Sequence, residues 1–342
     1  MGVNLKDLVK KQEIHLADLK DKKLAVDAFN ILYQFLSTIR GYDGSLLMDS
    51  KGRVTSHLAG LFFRSTKLMQ KGIKLAFVFD GEAPALKKQE RARRASLKQE
   101  AQVKFEEAQR EGSLEEMKKY AQRTTRLTPE MVEDAKRLIK ALGMPVIQAP
   151  SEGEAQAAHM VKKGELWAEI SQDFDCLLFG VPQFVQNLTI SEQRKIKSRL
   201  AYETVKPQKI VLADVLQELD ITLDQLIVIG ILVGTDFNIG GVKGVGPKKA
   251  HSLVKKHGTN FDALFEEAGW DFPYPWKEVF DLFKHMPVTD KYDLNWKTVD
   301  RNEVIRILVD EHEFNRQRIV EALNKLDEEQ DKLSQKGLSG WV

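Results

Sequence analysis

Seven acidic side chains stand at places where they could act together. They are Asp27 in VDAFN, Asp80 in FVFDGEAP, Glu152 and Glu154 in APSEGEAQAA, Asp173 and Asp175 in SQDFDCLLFG, and Asp236 in LVGTDFN. Each of the first six falls at or just after the carboxyl end of an expected strand, and Asp236 follows an apolar helical run. Each alone has an ordinary reading. Asp27 or Asp80 could end a strand in a turn, and strand alternation could put Asp173 and Asp175 on one side. Ser151 followed three residues later by Glu154 has the capping-box spacing. Together they predict an ion site. Two unit charges about 4 Å apart repel by roughly 4 kcal/mol at an effective dielectric near 20, and a whole domain is stable by only about 5–15 kcal/mol. Bound cations or protons must relieve such a cluster. All-oxygen donors with no His or Cys cluster favour Mg²⁺ or Mn²⁺. Two such ions about 3.5–4 Å apart are the usual clamp for in-line displacement at a phosphodiester.

The elements that must position these acids are readable from periodicity. KKLAVDAFN reads as a strand ending at Asp27, followed by the helical ILYQFLSTIR, and IKLAFVFDGEAP as a second strand ending at Asp80. PEMVEDAKRLIKALG reads as a helix between Pro129 and Gly143. MPVIQAP is a third strand, the SEGEAQ helix follows, and LWAEISQDFDCLLFG carries a fourth strand into Asp173 and Asp175. Strands alternating with helices give an α/β fold with a mostly parallel sheet flanked by helices. In such a sheet the strand ends share one edge, where ligands bind. Glu152 and Glu154 lie about 200° apart around a helix axis, so both cannot face one ion directly. One is expected to bind directly and the other through water, with Glu154 serving as ligand rather than as cap partner.

Two basic features flank this edge. Between residues 87 and 104, seven Lys and Arg face only Glu90 and Glu100, a local net of +5. They lie within a charged insertion over 82–128 that lacks strand patterning. GGVKGVGPKKA lies between two helical runs. It lacks the GK[ST] of a P-loop, and it follows a helix rather than a strand, unlike a dinucleotide fingerprint. Glycine N–H groups between two helices suit a nucleic-acid phosphate. Lys243, Lys248, Lys249, Lys255 and Lys256 surround them, with no acid from Phe237 through Phe261. Contacts of this kind give affinity without sequence specificity.

Bulk properties bound the rest. The 342 residues are 42% hydrophobic and 30% charged, as in a soluble globular protein, and the net charge of +2 gives no nucleic-acid signal by itself. The single cysteine, Cys176, excludes an intrachain disulfide and a Cys-based zinc site and fits a reducing compartment. The seven histidines show no ligand spacing. No run approaches 18 uncharged apolar residues, so an intracellular protein without a membrane span is expected.

The ordered set VDAFN, FVFDGEAP, APSEGEAQAA, SQDFDCLLFG and LVGTDFNIGGVKGVGPKKA resembles the flap endonucleases of the XPG-type structure-specific 5′ nucleases, over nearly the entire chain. The EGEAQAA wording and the length are similar to archaeal members. The resemblance implies a PIN-like 5′-nuclease fold with a helical arch and a helix-hairpin DNA-binding region. It implies that Asp27, Asp80, Glu152, Glu154, Asp173, Asp175 and Asp236 hold two Mg²⁺ ions, with Mn²⁺ able to substitute. Lys87 and Arg94 match the family's catalytic basic pair on the arch, and Tyr33 matches an aromatic that stacks on a base beside the cut. Lys243, Gly244, Gly246, Lys248 and Lys249 fall in the hairpin that holds duplex DNA, where relatives also bind K⁺. Gln335, Leu338, Trp341 and Val342 resemble the tail motif that docks on the sliding clamp (PCNA), with Val342 where an aromatic is usual.

The implied activity is cleavage of 5′-flap DNA near the junction, with 5′–3′ exonuclease activity, in replication and repair, by a monomer. The implied location is the cytoplasm, or the nucleus in a eukaryote. The expected organisation is a nuclease core in two parts (1–98 and 116–258), the arch (82–128), a C-terminal helical region (259–330) and the clamp-binding tail (334–342).

Overall fold

Two strands of almost unbroken apolar sequence form the centre of the protein. In the computed structural model, which describes residues 2–113, 115–116, 120, 126–188, 193–195 and 202–338, these are β2 (Lys23–Asp27) and β3 (Lys74–Phe79). They pair in parallel and are buried along all but their first residues. β4 (Val146–Gln148) and β5 (Ala168–Ile170) add in parallel on either side. The sheet has seven strands in the order β1-β9-β6-β5-β2-β3-β4, where β1 is Gln12–Glu13, β6 is Gln183–Gln186 and β9 is Gln208–Val211. β6 is parallel to β5, whereas β9 is antiparallel to β6 and β1 to β9. A further antiparallel pair joins β7 (Gln193–Lys195) to β8 (Tyr202–Thr204).

The two faces of the sheet carry different side chains, and this difference places the acids. Leu24, Val26, Leu75, Phe77 and Phe79 face one core with Phe35, Leu61, Phe62 and Ile139. Ala25 and Ala76 face the other, together with Ala155, Ala157 and Ala158. Those three alanines belong to the helix Gly153–Lys162. Small residues on both sides let this helix lie close against the sheet, which brings its first turn to the carboxyl edge of β2 and β3. On the same side the helix Leu223–Val233 is apolar and buried from Leu226 through Leu232, with a capping box formed by Thr222 and Gln225. At Gly230 an added Cβ would meet Leu178 at 2.6 Å, so the glycine permits close contact with the short helix Asp175–Leu178.

Several expected boundaries move. The fourth strand stops at Ile170, so Asp173 lies in a bend and Asp175 opens a helix. β1, β6 and β9 were not anticipated because their polar glutamines and lysines mask the strand pattern. The helix expected between Pro129 and Gly143 is present over Pro129–Ala141, with Gly143 at φ +74°. The arch segment begins with a helix at Lys87–Arg110. The tail, expected to be irregular, continues the last helix Arg316–Leu338 as far as Leu338. Among the described residues no helix is long and apolar enough to cross a membrane.

Gly81 ties two acid-bearing segments together. Its N–H donates to the Ser151 carbonyl at 2.6 Å, and the next N–H, of Glu82, donates to the Pro150 carbonyl at 3.1 Å. A Cβ at Gly81 would lie 2.3 Å from the Ala149 carbonyl oxygen and 2.5 Å from that of Pro150, and backbone atoms cannot step aside. Gly81→Ala is therefore expected to lower the unfolding free energy by about 1–3 kcal/mol, read from urea titrations. An unchanged midpoint would show that these segments separate without cost.

Candidate metal centre and nucleic-acid interface

Because β2, β3, β4 and β5 run parallel, the residues that follow them emerge at one edge. Asp27 ends β2 and caps the next helix, Ala28–Thr38, by accepting the Asn30 backbone N–H at 3.0 Å. The Asn30 side-chain amide donates to Asp173 at 3.1 Å, joining the β2 and β5 ends. Asp175 accepts the Val3 N–H at 2.6 Å. The chain start packs so closely here that a Cβ on Gly2 would lie 2.7 Å from the Cβ of Asp173.

The SEGEAQ stretch does not form a capping box. Glu152 is the N-cap of the Gly153–Lys162 helix and caps through no side-chain bond, while the Ser151 hydroxyl donates to the Glu82 carbonyl at 2.8 Å. The Gly153 N–H is satisfied instead by Asp80, at 2.7 Å, from the neighbouring strand end. Glu154 is free of any capping duty. It accepts a hydrogen bond from the Ser171 hydroxyl at 3.3 Å, just after β5.

The first residues of the arch helix close over the acids. Lys87 Nζ lies 2.5 Å from Glu152 and 3.6 Å from Asp236, and an Arg94 guanidinium nitrogen lies 2.6 Å from Asp236. Seven positions are nearly two helical turns, so both cations share one helix face. Asp236 is held in place by Asn238, which is fully buried. The Asn238 amide donates to the Ile231 carbonyl at 2.6 Å, and its oxygen accepts the Thr235 hydroxyl at 2.7 Å.

The electrostatics of this edge are those of crowded acids. Burial, then the charge of Asp80, raises the pKa of Asp27 to about 7. Burial likewise raises Asp175 to about 7, against the Val3 N–H bond and with help from Asp236 and Asp173. Burial raises Glu152, with Lys87 opposing it and Asp80 adding to it. Glu154 is driven well above the ordinary range by burial, then by Asp175, Glu169 and Asp27. Burial opposes the charge on Lys87, but Glu152 and Asp236 outweigh it and raise the Lys87 pKa.

A hard divalent cation fits this donor set, which is made of oxygens. Among the described residues the acids share an edge without being closed into a ligand shell: no group of three or more His, Cys, Asp or Glu side chains is pre-arranged around an ion. Of these acids, Glu152 and Asp236 are drawn onto Lys87 and Arg94 instead.

Tyr33 is partly exposed on the Ala28–Thr38 helix, with Lys98 Nζ 4.6 Å from its ring centre. In the hairpin, buried Val242 and Val245 anchor a loop whose Lys243, Gly244, Gly246, Lys248 and Lys249 are all exposed. Nothing lies within 4 Å of a Cβ built at Gly244 or Gly246, so their backbones are open to a ligand, and Gly246 caps the helix Pro247–His257. Lys255 and Lys256 do not belong to this surface. They pair with Asp220 at 2.5 Å and Glu267 at 2.6 Å, acids that only folding brings near. Gln335 and Leu338 lie in the last helical turns, while Trp341 and Val342 lie outside the described residues.

Sequence reasoning missed Gly2, Val3, Asn30, Ser171 and Asn238, which hold the acids, and Glu169, which lies beneath them. Only Asn30 carried a local signal, as the third residue after an N-cap aspartate.

The XPG N-terminal domain matches residues 1–101 and the XPG I-region matches residues 143–236. The chain is 48% identical to Flap endonuclease 1 of Pyrococcus abyssi over 341 residues, covering 100% of this chain and 98% of that protein. It is 51% identical to Flap endonuclease 1 of Ignicoccus hospitalis, covering 95% of this chain and 94% of that one. The solved structure of flap endonuclease-1 from Methanococcus jannaschii superposes with a TM-score of 0.75 at 43% identity, covering 95% of this chain and 98% of that one. The catalytic core of Rad2 in complex with DNA substrate superposes with a TM-score of 0.70 at 23% identity, covering 95% and 100%, a likeness of fold.

The raised acids give a pH test. In the ion-free protein the folded state keeps the Asp27 and Asp175 protons up to about pH 7, whereas an unfolded aspartate loses its proton near 3.8. Between those values the native state binds more protons, so these groups make stability fall as pH rises, and the loss is complete above about 7. Asp175→Asn cannot ionise. Chelator-treated Asp175→Asn should therefore lose less stability than wild type between pH 5 and 7.5, by at least about 1 kcal/mol, one pKa unit's worth. Parallel urea-midpoint profiles would contradict the burial of an unneutralised Asp175.

Proposed function

Since the chain belongs to the flap endonuclease family of XPG-type nucleases, we propose that it is a structure-specific 5′ flap endonuclease with 5′–3′ exonuclease activity. It hydrolyses phosphodiester bonds of branched DNA beside the single-strand/double-strand junction, in Okazaki fragment maturation and repair. The observation that carries this reading is the pairing of two arch cations with acids gathered at a parallel sheet edge.

In this reading Asp27, Asp80, Glu152, Glu154, Asp173, Asp175 and Asp236 hold two Mg²⁺ ions, or Mn²⁺ in their place. Bound there, the ions supply Lewis-acid polarisation of the scissile phosphate and a nucleophile at neutral pH. The chain's own residues do the rest. Lys87 and Arg94, already at the edge, neutralise charge that grows on the phosphate, as Lys and Arg clamps do. Tyr33, partly exposed beside Lys98, offers its ring to the base next to the cut. The open backbones of Gly244 and Gly246, with Lys243, Lys248 and Lys249, hold duplex phosphates, and K⁺ binds at the same hairpin. The arch over 82–128 admits a single-stranded 5′ end. The tail, with Gln335, Leu338, Trp341 and Val342, docks on the sliding clamp.

Labelled 5′-flap DNA, incubated with and without Mg²⁺, tests the central claim. Cleavage at the junction is expected only with the ion. A matched single-stranded RNA cut faster than the flap would favour an RNA-directed enzyme, and no ion-dependent product would end the nuclease reading. Lys87→Ala is expected to slow single-turnover cleavage about 10²–10³-fold, the scale for loss of one charge-stabilising group. Asp173→Ala should abolish cleavage while DNA binding stays within a few-fold. Unchanged cleavage by Asp173→Ala would leave the acids as mere caps of a DNA-binding scaffold.

Removal of residues 334–342 should leave cleavage of free flap DNA intact and remove stimulation by the sliding clamp. Equal stimulation of the full and shortened chains would place clamp docking elsewhere.

A further inference from the structure

One carboxylate of the sheet is not among the seven. Glu169 is the middle residue of β5, in register with Ala25 of β2 and Phe184 of β6. It is 0% exposed, and neither of its carboxylate oxygens has a hydrogen-bond partner among the described residues. An ionised carboxylate in that setting is strongly disfavoured unless a cation meets it.

The pleat shows where it points. Ala168 and Ile170, on either side of it, pack in the phenylalanine-rich core. Side chains alternate, so Glu169 and Ser171 face the alanine-lined layer, where Ala25 lies in the other core. Asp27, two residues beyond Ala25, shares that face. Ser171 touches Glu154. Glu169 therefore lies one pleat inward of the Glu154 contact, about 7 Å along the strand. Its electrostatic neighbours agree with this placement. Asp27 acts on Glu169, and Glu169 acts on both Glu154 and Cys176. Among the described residues, Asp27 is the charged group that acts on Glu169, and no Lys or Arg does.

We propose that Glu169 is an eighth acid of the ion site, a buried carboxylate behind Asp27 and Glu154 that takes a divalent cation at the sheet edge as its counter-charge and strengthens the binding of that cation. It is a positioning residue, one pleat short of the edge, and supplies field rather than a ligand atom. The inference rests on the reading of that edge as a divalent-ion site.

Calorimetric titration of the intact protein with MgCl₂, and separately with MnCl₂, tests it without reference to turnover. Glu169→Gln keeps the side-chain volume and removes the charge. Its ion affinity should be about tenfold weaker than wild type, and its rise in melting temperature on adding the ion should be smaller. Its ion-free melting temperature should equal or exceed that of wild type. Glu169→Ala, matched to the small Ala25 and Ala76 nearby, should show the same loss of affinity if the amide is not tolerated. A Glu169→Gln protein with wild-type affinity and a wild-type ion-induced melting shift would overturn this inference alone, leaving Glu169 a structural residue. A wild-type protein that binds neither ion would overturn the ion-site reading and this inference with it.

Discussion

The repulsion among acids at the carboxyl edge of the sheet is the constraint on which the local structure turns. Parallel strands bring successive strand ends to one place, and here those ends carry carboxylates. The chain answers with every device available to it. Backbone N–H groups are aimed at Asp27, Asp80 and Asp175 from Asn30, Gly153 and Val3. Side-chain donors from Asn30 and Ser171 reach Asp173 and Glu154. Two cations come from outside the sheet, on the arch helix. Even so, burial and like charge leave four acids with raised pKa values.

These bonds also explain features of the fold that packing alone does not require. The Asp80 bond to Gly153 joins the end of β3 to the start of the helix after β4, and Gly81 lets the two backbones meet. The chain start is drawn across to Asp175, where only a residue without a Cβ fits beside Asp173. Asn238 holds the turn after the Leu223–Val233 helix from inside, so that Asp236 arrives from a part of the chain with no strand at this edge. The protein's core is thus continuous with its site, and a shift in either would be felt in the other.

How much of this was legible in the sequence depends on the range of the interaction. The acids were legible because they recur after apolar runs, and parallel topology follows from alternating strands and helices. The hairpin glycines were legible as a class, but not Lys255 and Lys256, whose partners Asp220 and Glu267 are brought near by helix packing. The Ser151–Glu154 spacing allowed a capping box, and the structure leaves Glu154 out of one because Asp80, arriving from another strand, takes the Gly153 N–H instead. Glu169 was invisible for a related reason. LWAEIS was expected as a strand, but the sequence does not show which face Glu169 takes, and the alanine-rich helix laid over β5 makes that position interior.

The two arch cations bear on what else the acids can hold. Lys87 and Arg94 occupy the same oxygens of Glu152 and Asp236 that a divalent cation at this edge would need. A carboxylate oxygen has few directions from which to bind strongly, so ion and arch side chains compete for them. Were a divalent cation held by Glu152 and Asp236, Lys87 and Arg94 would give up those oxygens while remaining on a helix that lies beside the edge. Freed in that way, the two side chains would offer their charge to an anion, and a phosphate is the anion that Lys and Arg bind well. The pairing between arch and acids therefore does more than neutralise: it keeps two positive charges within one side-chain length of the gathered carboxylates. At positions 87 and 94 they are already in place, and the acids keep them there.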